Sequence, residues 1–403
     1  MNIIDLVTAA SPAKDHADFI ENTLGSRFAE VRDGKIPFIV HGAGSAGARM
    51  VPVFRALDLE PVAVTDNAPE KIGSSIQGLP VLDPETAHAR HPSAIVTLAA
   101  GKYQQEIAER LRSAGFGEDQ IVRTSPDALR FYTHIEQWRW TTADLARHAP
   151  DLEKTYALLS DDESRRIFVQ RLALLHNPAD YRSWQRHLAE NSFVRRYPPP
   201  QDKGAPESHY YFNNDILRLG TGEILVDCGA FDGDTLYHFL KRKPAGGKYV
   251  AHCLEPDSHS FAKLHEVAHA DPDVFLYRIG AWSEKATLYF ENLGTTDSRI
   301  SRAPTPTRIE VDRLDDLLLG RPVSIIKMDI EGAERQALRG ARALIRENRP
   351  ALLISVYHRR DDLFEIPGLI DEIVPGYRYY LRLFSDDFTE LVLLAVPERD
   401  QDE

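Results

Sequence analysis

Residues 223–235 read EILVDCGAFDGDT, and the run from Asp234 continues as DTLYHFL. Ile224, Leu225 and Val226 form a short apolar run suited to a strand buried on both faces of a parallel sheet. Gly229 and Gly233 allow a tight turn and a close backbone approach to a ligand. Asp227 and Asp232 make that turn acidic. Phosphate sites favour bare amides and a basic side chain, so this turn suits a ligand carrying positive charge. S-adenosylmethionine, with its ammonium and sulfonium, has that chemistry. A plain strand-to-helix turn would have the same local pattern, and the downstream segments decide between the two.

The next strand, KYVAHCLEP, ends in Glu255, about 20 residues past the glycine turn, where an acid bonds ribose hydroxyls in doubly wound sheets. VFLYRIGAW reads as a third strand. VSIIKMDIEGAE reads as a fourth, with Lys327, Asp329, Glu331 and Glu334 around its carboxyl end. A helix (RQALRGARALIREN), a fifth strand (ALLISVYH), another helix and a closing pair, YRYYLRLF and ELVLLAVP, follow. SDDFT joins that pair and is short enough for an antiparallel hairpin. The pattern predicts an open, doubly wound α/β sheet whose ligands sit at the carboxyl ends of its strands.

VDCGAFDGDT, LEPD, RIGAWSEKATLYF and IKMDIEGAERQALRGA resemble the FkbM-type methyltransferases, class I enzymes that use S-adenosylmethionine to methylate hydroxyl groups. The resemblance runs from Tyr210 to Pro397. It implies that Asp227, Gly229 and Gly233 line the methionine end of the cofactor and that Asp234 also binds it. Glu255 would hold the ribose, and Ala281 with Trp282 would lie near the adenine. Asp329 and Glu331 would face the methyl group and the acceptor. The amine-methylating NPPY-type tetrapeptide is absent after the fourth strand, where Asp-Ile-Glu-Gly stands instead, and this argues against a nucleic-acid acceptor.

Further catalytic candidates follow from position. His358, at the end of the fifth strand, is the best base by residue type, because histidine titrates near neutrality. His209 and His252 are weaker candidates. Lys327 shares strand parity with Asp329 and would pair with an acid or hold the acceptor. Glu334 reads as a first-turn helix charge. A divalent ion bound by Asp329 and Glu331 is left open, since no full oxygen cage is visible. ATLYFEN and TRIEVDRL would pair as a hairpin around GTTDSRISRAPTPT. There Ser298, Arg299, Ser301 and Arg302 belong to a solvated loop rather than to acceptor contacts.

An N-terminal segment, residues 1–123, carries a second signature. IPFIV precedes HGAGSAGARM, which places Gly42, Gly44 and Gly47 at G-x-G-x-x-G spacing before a helix, and PVAVTD then ends in Asp66. With GLPVL and SAIVTLAA this makes a smaller Rossmann-like α/β domain, similar to those found beside sugar-modifying enzymes. Either it binds a nucleotide (NAD or a nucleotide sugar), or it serves substrate docking or dimerisation. No Tyr-x-x-x-Lys is present, so redox chemistry is not expected.

Residues 124–206 read as a helical connector and linker. Leu145, Leu152, Tyr156 and Leu159 recur at helical spacing. Trp138, Trp140 and Trp184 read as core anchors rather than a sugar-binding wall. RRYPPPQDKGAPES is a loop. In the third segment, 207–403, Tyr210, Tyr211 and Phe212 would help close the site. Across all 403 residues the formal charge of −13 argues against phosphate backbones and anionic membranes as partners. Cys228 and Cys253 fall in neighbouring strands as buried small residues. The start lacks a signal-peptide pattern and reads as a helix, and no apolar run reaches membrane-spanning length. The expectation is a cytoplasmic methyltransferase acting on a hydroxyl of a carbohydrate or glycosylated metabolite, with a homo-oligomer left open. The alternatives are a non-catalytic cofactor-binding protein or an NAD-linked enzyme.

Overall fold

A computed structural model of the chain describes residues 2–10, 27–56, 58–98, 103–123, 139–177, 181–196, 210–212, 214–291, 299–301, 304–386 and 389–398. These fall into two compact units. One comprises Ile4–Leu145 and Gln170–Leu188, the other Met1–Ile3, Ala146–Val169 and Ala189–Glu403. Residues 124–206, expected as a helical connector and linker, contribute to both units. Their described helices, Thr142–Leu158, Asp162–His176 and Tyr181–Asn191, are divided between the two units. Their apolar faces explain why: Leu145, Leu152, Leu159, Phe168 and Leu172 are buried and belong to cores rather than to a tether.

In the N-terminal unit, β1 (Phe38–His41), β2 (Ala63–Thr65), β3 (Ser75–Ile76), β4 (Leu79–Leu82), β5 (Ile95–Leu98) and β6 (Ile121–Val122) form one sheet. Its order is β3-β4-β2-β1-β5-β6, parallel except for β3 against β4. Ile39, Ala63, Val96, Leu111 and Phe116 fill its core. Trp140 and Trp184 are buried in this unit as core anchors, while Trp138 lies outside the described residues. The N-terminal helix is described over Ile3–Ala10.

The C-terminal unit holds a seven-stranded sheet. Its parallel strands are β7 (Glu223–Cys228), β8 (Tyr249–Leu254), β9 (Val274–Tyr277), β14 (Ile325–Met328) and β15 (Ala351–Ser355), and β16 (Tyr377–Leu383) and β17 (Leu391–Pro397) close it. The order is β16-β17-β15-β14-β7-β8-β9. The final hairpin is antiparallel, with β17 inserted beside β15. β14 and β15 are buried along their whole length, which suits central strands covered on both faces. Cys228 and Cys253 are free and buried in adjacent strands.

The run VFLYRIGAW is two strands, not one. Val274–Tyr277 forms the edge of the main sheet, and β10 (Gly280–Ala281) turns away to a second sheet of four strands. Gly280 permits this, because a Cβ there would lie 3.1 Å from Val311 and 3.6 Å from Pro256. The hairpin of β11 (Ala286–Glu291) and β13 (Thr307–Asp312) forms in register Ala286↔Val311 to Phe290↔Thr307, with β12 (Arg299–Ile300) alongside. Phe290, Ile309 and Val311 form its apolar face. Ser298 and Arg302 at its tip lie outside the described residues, as does the Arg299 side chain.

One buried ion pair ties the glycine turn to β14. Lys327 sits directly opposite Asp227 in the β14–β7 register. Its Nζ lies 3.1 Å from Asp227 Oδ1, with both side chains buried, and donates to the Gly229 carbonyl at 2.8 Å. Burial opposes the ammonium charge, but Asp227, Asp329 and Asp234 outweigh it and raise the Lys327 pKa. Gly229 itself has φ 79°, and a Cβ there would lie 2.0 Å from the Asp329 carbonyl oxygen.

Two stability predictions follow from this joint. Gly229→Ala adds a steric collision of about 1–3 kcal/mol to the left-handed backbone cost of about 1–2 kcal/mol. Gly246→Ala, at φ 73° with open space around it, incurs the backbone cost alone. Denaturant melts of the two variants should therefore differ clearly, and equal midpoints would refute the close approach. Lys327→Met should destabilise by about 3–5 kcal/mol, because Asp227 is left as an uncompensated buried charge. Adding Asp227→Asn to that variant should restore part of the loss.

Candidate active site

The loop after β7 carries three departures from ordinary backbone, at alternate residues. Gly229, Phe231 and Gly233 have φ of 79°, 45° and 93°. Gly233 caps the helix Asp234–Arg242, and its open side packs on Leu264. The Asp234 carboxylate accepts from the Thr235 amide. Glu255, at the tip of β8, reaches back to this loop. Its Oε2 accepts from the Phe231 amide at 3.0 Å and its Oε1 from the Asp257 amide at 2.8 Å. Burial pushes its carboxyl up to about 7, although the Asp257 and Phe231 amides pull the other way. Asp227, expected from the sequence to line the cofactor, is fully buried and pairs with Lys327. It acts on the loop through that lysine's bond to Gly229.

The loop after β14 places a second group. Asp329 follows the strand, and Glu331 adopts φ 54°, a left-handed conformation uncommon for a side-chain-bearing residue. His358, just past β15, meets both. Its Nε2 lies 3.3 Å from Asp329 Oδ1 and 3.5 Å from Glu331 Oε2. Its Nδ1 lies 2.9 Å from Glu334 Oε1. Glu334 is more than the helix-start charge expected from its position. It is fully buried and also accepts from the Ile330 amide at 2.9 Å. Burial disfavours the His358 imidazolium, but Glu334 and Glu331 outweigh it and hold the ring's pKa well above its usual value. Burial also raises the Glu331 carboxyl, against the pull of His358.

Two tyrosines complete the cluster. Tyr211 Oη donates to Asp329 Oδ2 at 3.2 Å and to Glu390 Oε2 at 3.3 Å, and lies 3.4 Å from Ser355 Oγ. Tyr357 Oη donates to Asp329 Oδ1 at 3.2 Å and to Glu390 Oε1 at 3.4 Å. Burial, then Asp329 and Glu390, raise both phenols well above their ordinary pKa, so both stay protonated donors. Tyr211 thus reaches the site, as its position before the sheet suggested. Phe212 instead packs into the core on Phe239, and the Tyr210 side chain and His209 lie outside the described residues. Tyr357, Ser355 and Glu390 were not singled out from the sequence. The alternation of Ser355 and Tyr357 on one strand face was the available signal. Glu390 had none, since only the final hairpin brings it to Asp329.

Ala281 and Trp282 stand in the smaller sheet. Ala281 is buried, and Trp282 packs on Phe290, Ile309 and Val311. The Trp282 amide donates to the Asp312 carbonyl at 2.9 Å, and Gly340 fits against its carbonyl, where a Cβ would approach to 1.9 Å. His252 is a satisfied core histidine. Its Nδ1 lies 3.0 Å from Tyr277 Oη, and burial lowers its pKa to about 4.

In the N-terminal unit, Gly42 has φ 118° and Gly47 packs on it so closely that a Cβ would lie 1.8 Å from the Gly42 carbonyl oxygen. Gly44 faces open space. Asp66, the expected ribose acid, is engaged locally. Its Oδ2 accepts from the Ala43 amide at 2.6 Å and from Lys71 at 3.1 Å, and its Oδ1 from the Ala68 amide at 2.8 Å.

The donor set of the C-terminal unit fits S-adenosylmethionine. A glycine loop, an acid at the β8 tip and carboxylates at the β14 tip are groups of the kind that an aminoacyl cation and a ribose diol require. Among the described residues, Asp329, Glu331 and His358 form one group able to hold a metal ion, with ligand atoms within 4.8 Å of one another.

A crystal structure of an FkbM methyltransferase from Methylobacillus flagellatus aligns with 98% of this chain and 99% of its own at 21% identity and a TM-score of 0.60. That likeness extends the shared fold over both units. Aeropyrum pernix fibrillarin, solved with S-adenosyl-L-methionine, covers 45% of this chain and 69% of its own at 15% identity and a TM-score of 0.30. Vibrio fischeri UDP-D-quinovosamine 4-dehydrogenase covers 23% of this chain and 97% of its own at 23% identity and a TM-score of 0.18. No curated protein matches the sequence. The family model described as the methyltransferase FkbM domain matches residues 227–381, from the glycine loop through β14 and β15 into β16. Over those residues the chain is similar to the methyltransferase domain of the FkbM family.

Proposed function

We propose that the protein transfers a methyl group from S-adenosylmethionine to a hydroxyl oxygen of a carbohydrate or glycosylated metabolite. The observation that carries this reading is the juxtaposition, at adjacent tips of β7 and β14, of an acidic glycine loop with a cluster of carboxylates and phenols around Asp329. S-adenosylmethionine would supply an electrophilic methyl group on a sulfonium. Gly229, Gly233, Asp234 and Glu255 would hold it, with Ala281 and Trp282 toward its adenine.

An alcohol is a weak nucleophile until its proton is leaving. Asp329, which accepts from Tyr211 and Tyr357, and Glu331 are the carboxylates that would take that proton. As the carbon–oxygen bond forms, the carbon–sulfur bond breaks and its electron pair stays on sulfur. Tyr211 and Tyr357 fix the Asp329 carboxylate through Oδ2 and Oδ1, which leaves it little freedom to rotate away. Such fixed placement is what in-line transfer requires. The dense alternation of donors and acceptors suits a polyhydroxylated acceptor, and the absence of an amine-binding tetrapeptide after β14 favours oxygen over nitrogen.

Transfer from methyl-labelled S-adenosylmethionine to a panel of nucleotide sugars and glycosylated metabolites tests the reading. Label is expected on oxygen, with kcat reduced at least tenfold in Asp329→Asn. Label on nitrogen alone would reject it. Binding adds a pH test. An ionised Glu255 accepts better from ribose hydroxyls, and its carboxyl titrates at about 7, so below that pH binding must first ionise it. Calorimetric affinity for S-adenosylhomocysteine should therefore tighten as pH rises from about 6 to about 8, by up to about tenfold per unit. The dependence should flatten in Glu255→Gln, and an unchanged slope there would remove Glu255 from the cofactor site.

A further inference from the structure

We propose that Asp329, Glu331 and the Nε2 of His358 bind a divalent cation, which presents its remaining positions to the acceptor's hydroxyl oxygens. The first support is geometric. Nε2 lies 3.3 Å from Asp329 Oδ1 and 3.5 Å from Glu331 Oε2. Ligands about 2.1 Å from a shared ion are about 3.0 Å apart in an octahedral and about 3.4 Å apart in a tetrahedral arrangement. The observed separations have that scale.

The second support is independent of the carboxylates. The His358 side chain is 6% exposed, and its buried Nε2 makes no hydrogen bond. The atom lies near carboxylate oxygens of both Asp329 and Glu331 and is hydrogen-bonded to neither. The opposite nitrogen is fixed: Nδ1 lies 2.9 Å from Glu334 Oε1, and that carboxylate is itself anchored by the Ile330 amide. A carboxylate that accepts from one ring nitrogen while the other faces a group of ligands is the usual outer support of a metal-bound histidine. It sets the tautomer that directs the Nε2 lone pair toward the two carboxylates. When the ion displaces the Nε2 proton and the ring keeps the proton on Nδ1, three electron-rich atoms converge on the cation at their centre.

Chemistry narrows the ion. Two carboxylates and one imidazole suit a hard to borderline divalent ion such as Mg²⁺ or Mn²⁺, and a three-residue set leaves open positions for water or substrate oxygens. Glu334 is a positioning residue here, acting on the ion through His358. The proposed role toward the acceptor rests on the methyl-transfer reading, whereas binding of the ion does not.

The test is titration of Mn²⁺ into the metal-stripped full-length protein, followed by electron paramagnetic resonance, with S-adenosylhomocysteine binding measured calorimetrically on the same samples. One Mn²⁺ per chain is expected, weakened at least tenfold in Asp329→Asn and in Glu331→Gln. Glu334→Gln should weaken it about 10–100-fold while touching no ligand atom of the ion. Circular dichroism and a thermal melt establish that each variant is folded. Glu331→Gln is the safest of the three, because its side chain is 28% exposed. Folded wild-type protein that leaves Mn²⁺ free, or binding of equal strength in all folded variants, would overturn the site. Loss of Mn²⁺ with S-adenosylhomocysteine still bound would count against the ion alone. Mn²⁺ binding without S-adenosylhomocysteine binding would support the ion site and remove the methyl-transfer reading.

Discussion

The pairing of Lys327 with Asp227 is the joint on which the C-terminal unit depends. Two charges in the middle of a parallel sheet are tolerable only when each compensates the other. Their compensation requires β7 and β14 to be adjacent in one register. The register places the Gly229 carbonyl at the lysine's Nζ and the glycine loop flush against the Asp329 carbonyl. Residue 229 must consequently be glycine, and the loop leaves β7 in a left-handed conformation. The cofactor half and the acceptor half of the proposed site are thus held together by one ammonium group.

The acidic cluster beyond that joint has its own logic. Asp329, Glu331, Glu334 and Glu390 converge on one side of the sheet edge, with His358, Tyr211 and Tyr357 as the groups that hold them. Buried carboxylates without such partners would take up protons and lose their geometry. The tyrosines supply donors that do not ionise, and the histidine supplies a charge or, in the proposed holo state, a ligand. Each carboxylate is thereby fixed in direction, which is what a site for in-line transfer needs.

The strand-and-helix alternation after Glu223, the closing hairpin and the acids at the strand tips were all legible in the sequence. Each rests on local periodicity or on a short turn. The split of VFLYRIGAW was not legible, because an apolar run has the same pattern whether it stays in one sheet or turns into another. In the structure β10 leaves β9 at Gly280, which fits closely on Val311 and Pro256. The helices between 142 and 191 had clear apolar spacing, but spacing does not tell which core a helical face joins. Their division between two units is a fact of packing.

The sequence by itself determined that a glycine loop, Glu255, Asp329 and His358 would stand at strand ends, since chain direction and alternation settle that much. Tertiary structure decided what each of them meets. It turned Asp227 inward to Lys327, set Glu334 behind His358, and brought Glu390 to Asp329 from the last hairpin. The charge state of His358 depends on carboxylates from another loop, and no window around residue 358 contains them. Direction and alternation are properties of neighbouring residues; the electrostatics of a site are properties of groups brought together from distant ones.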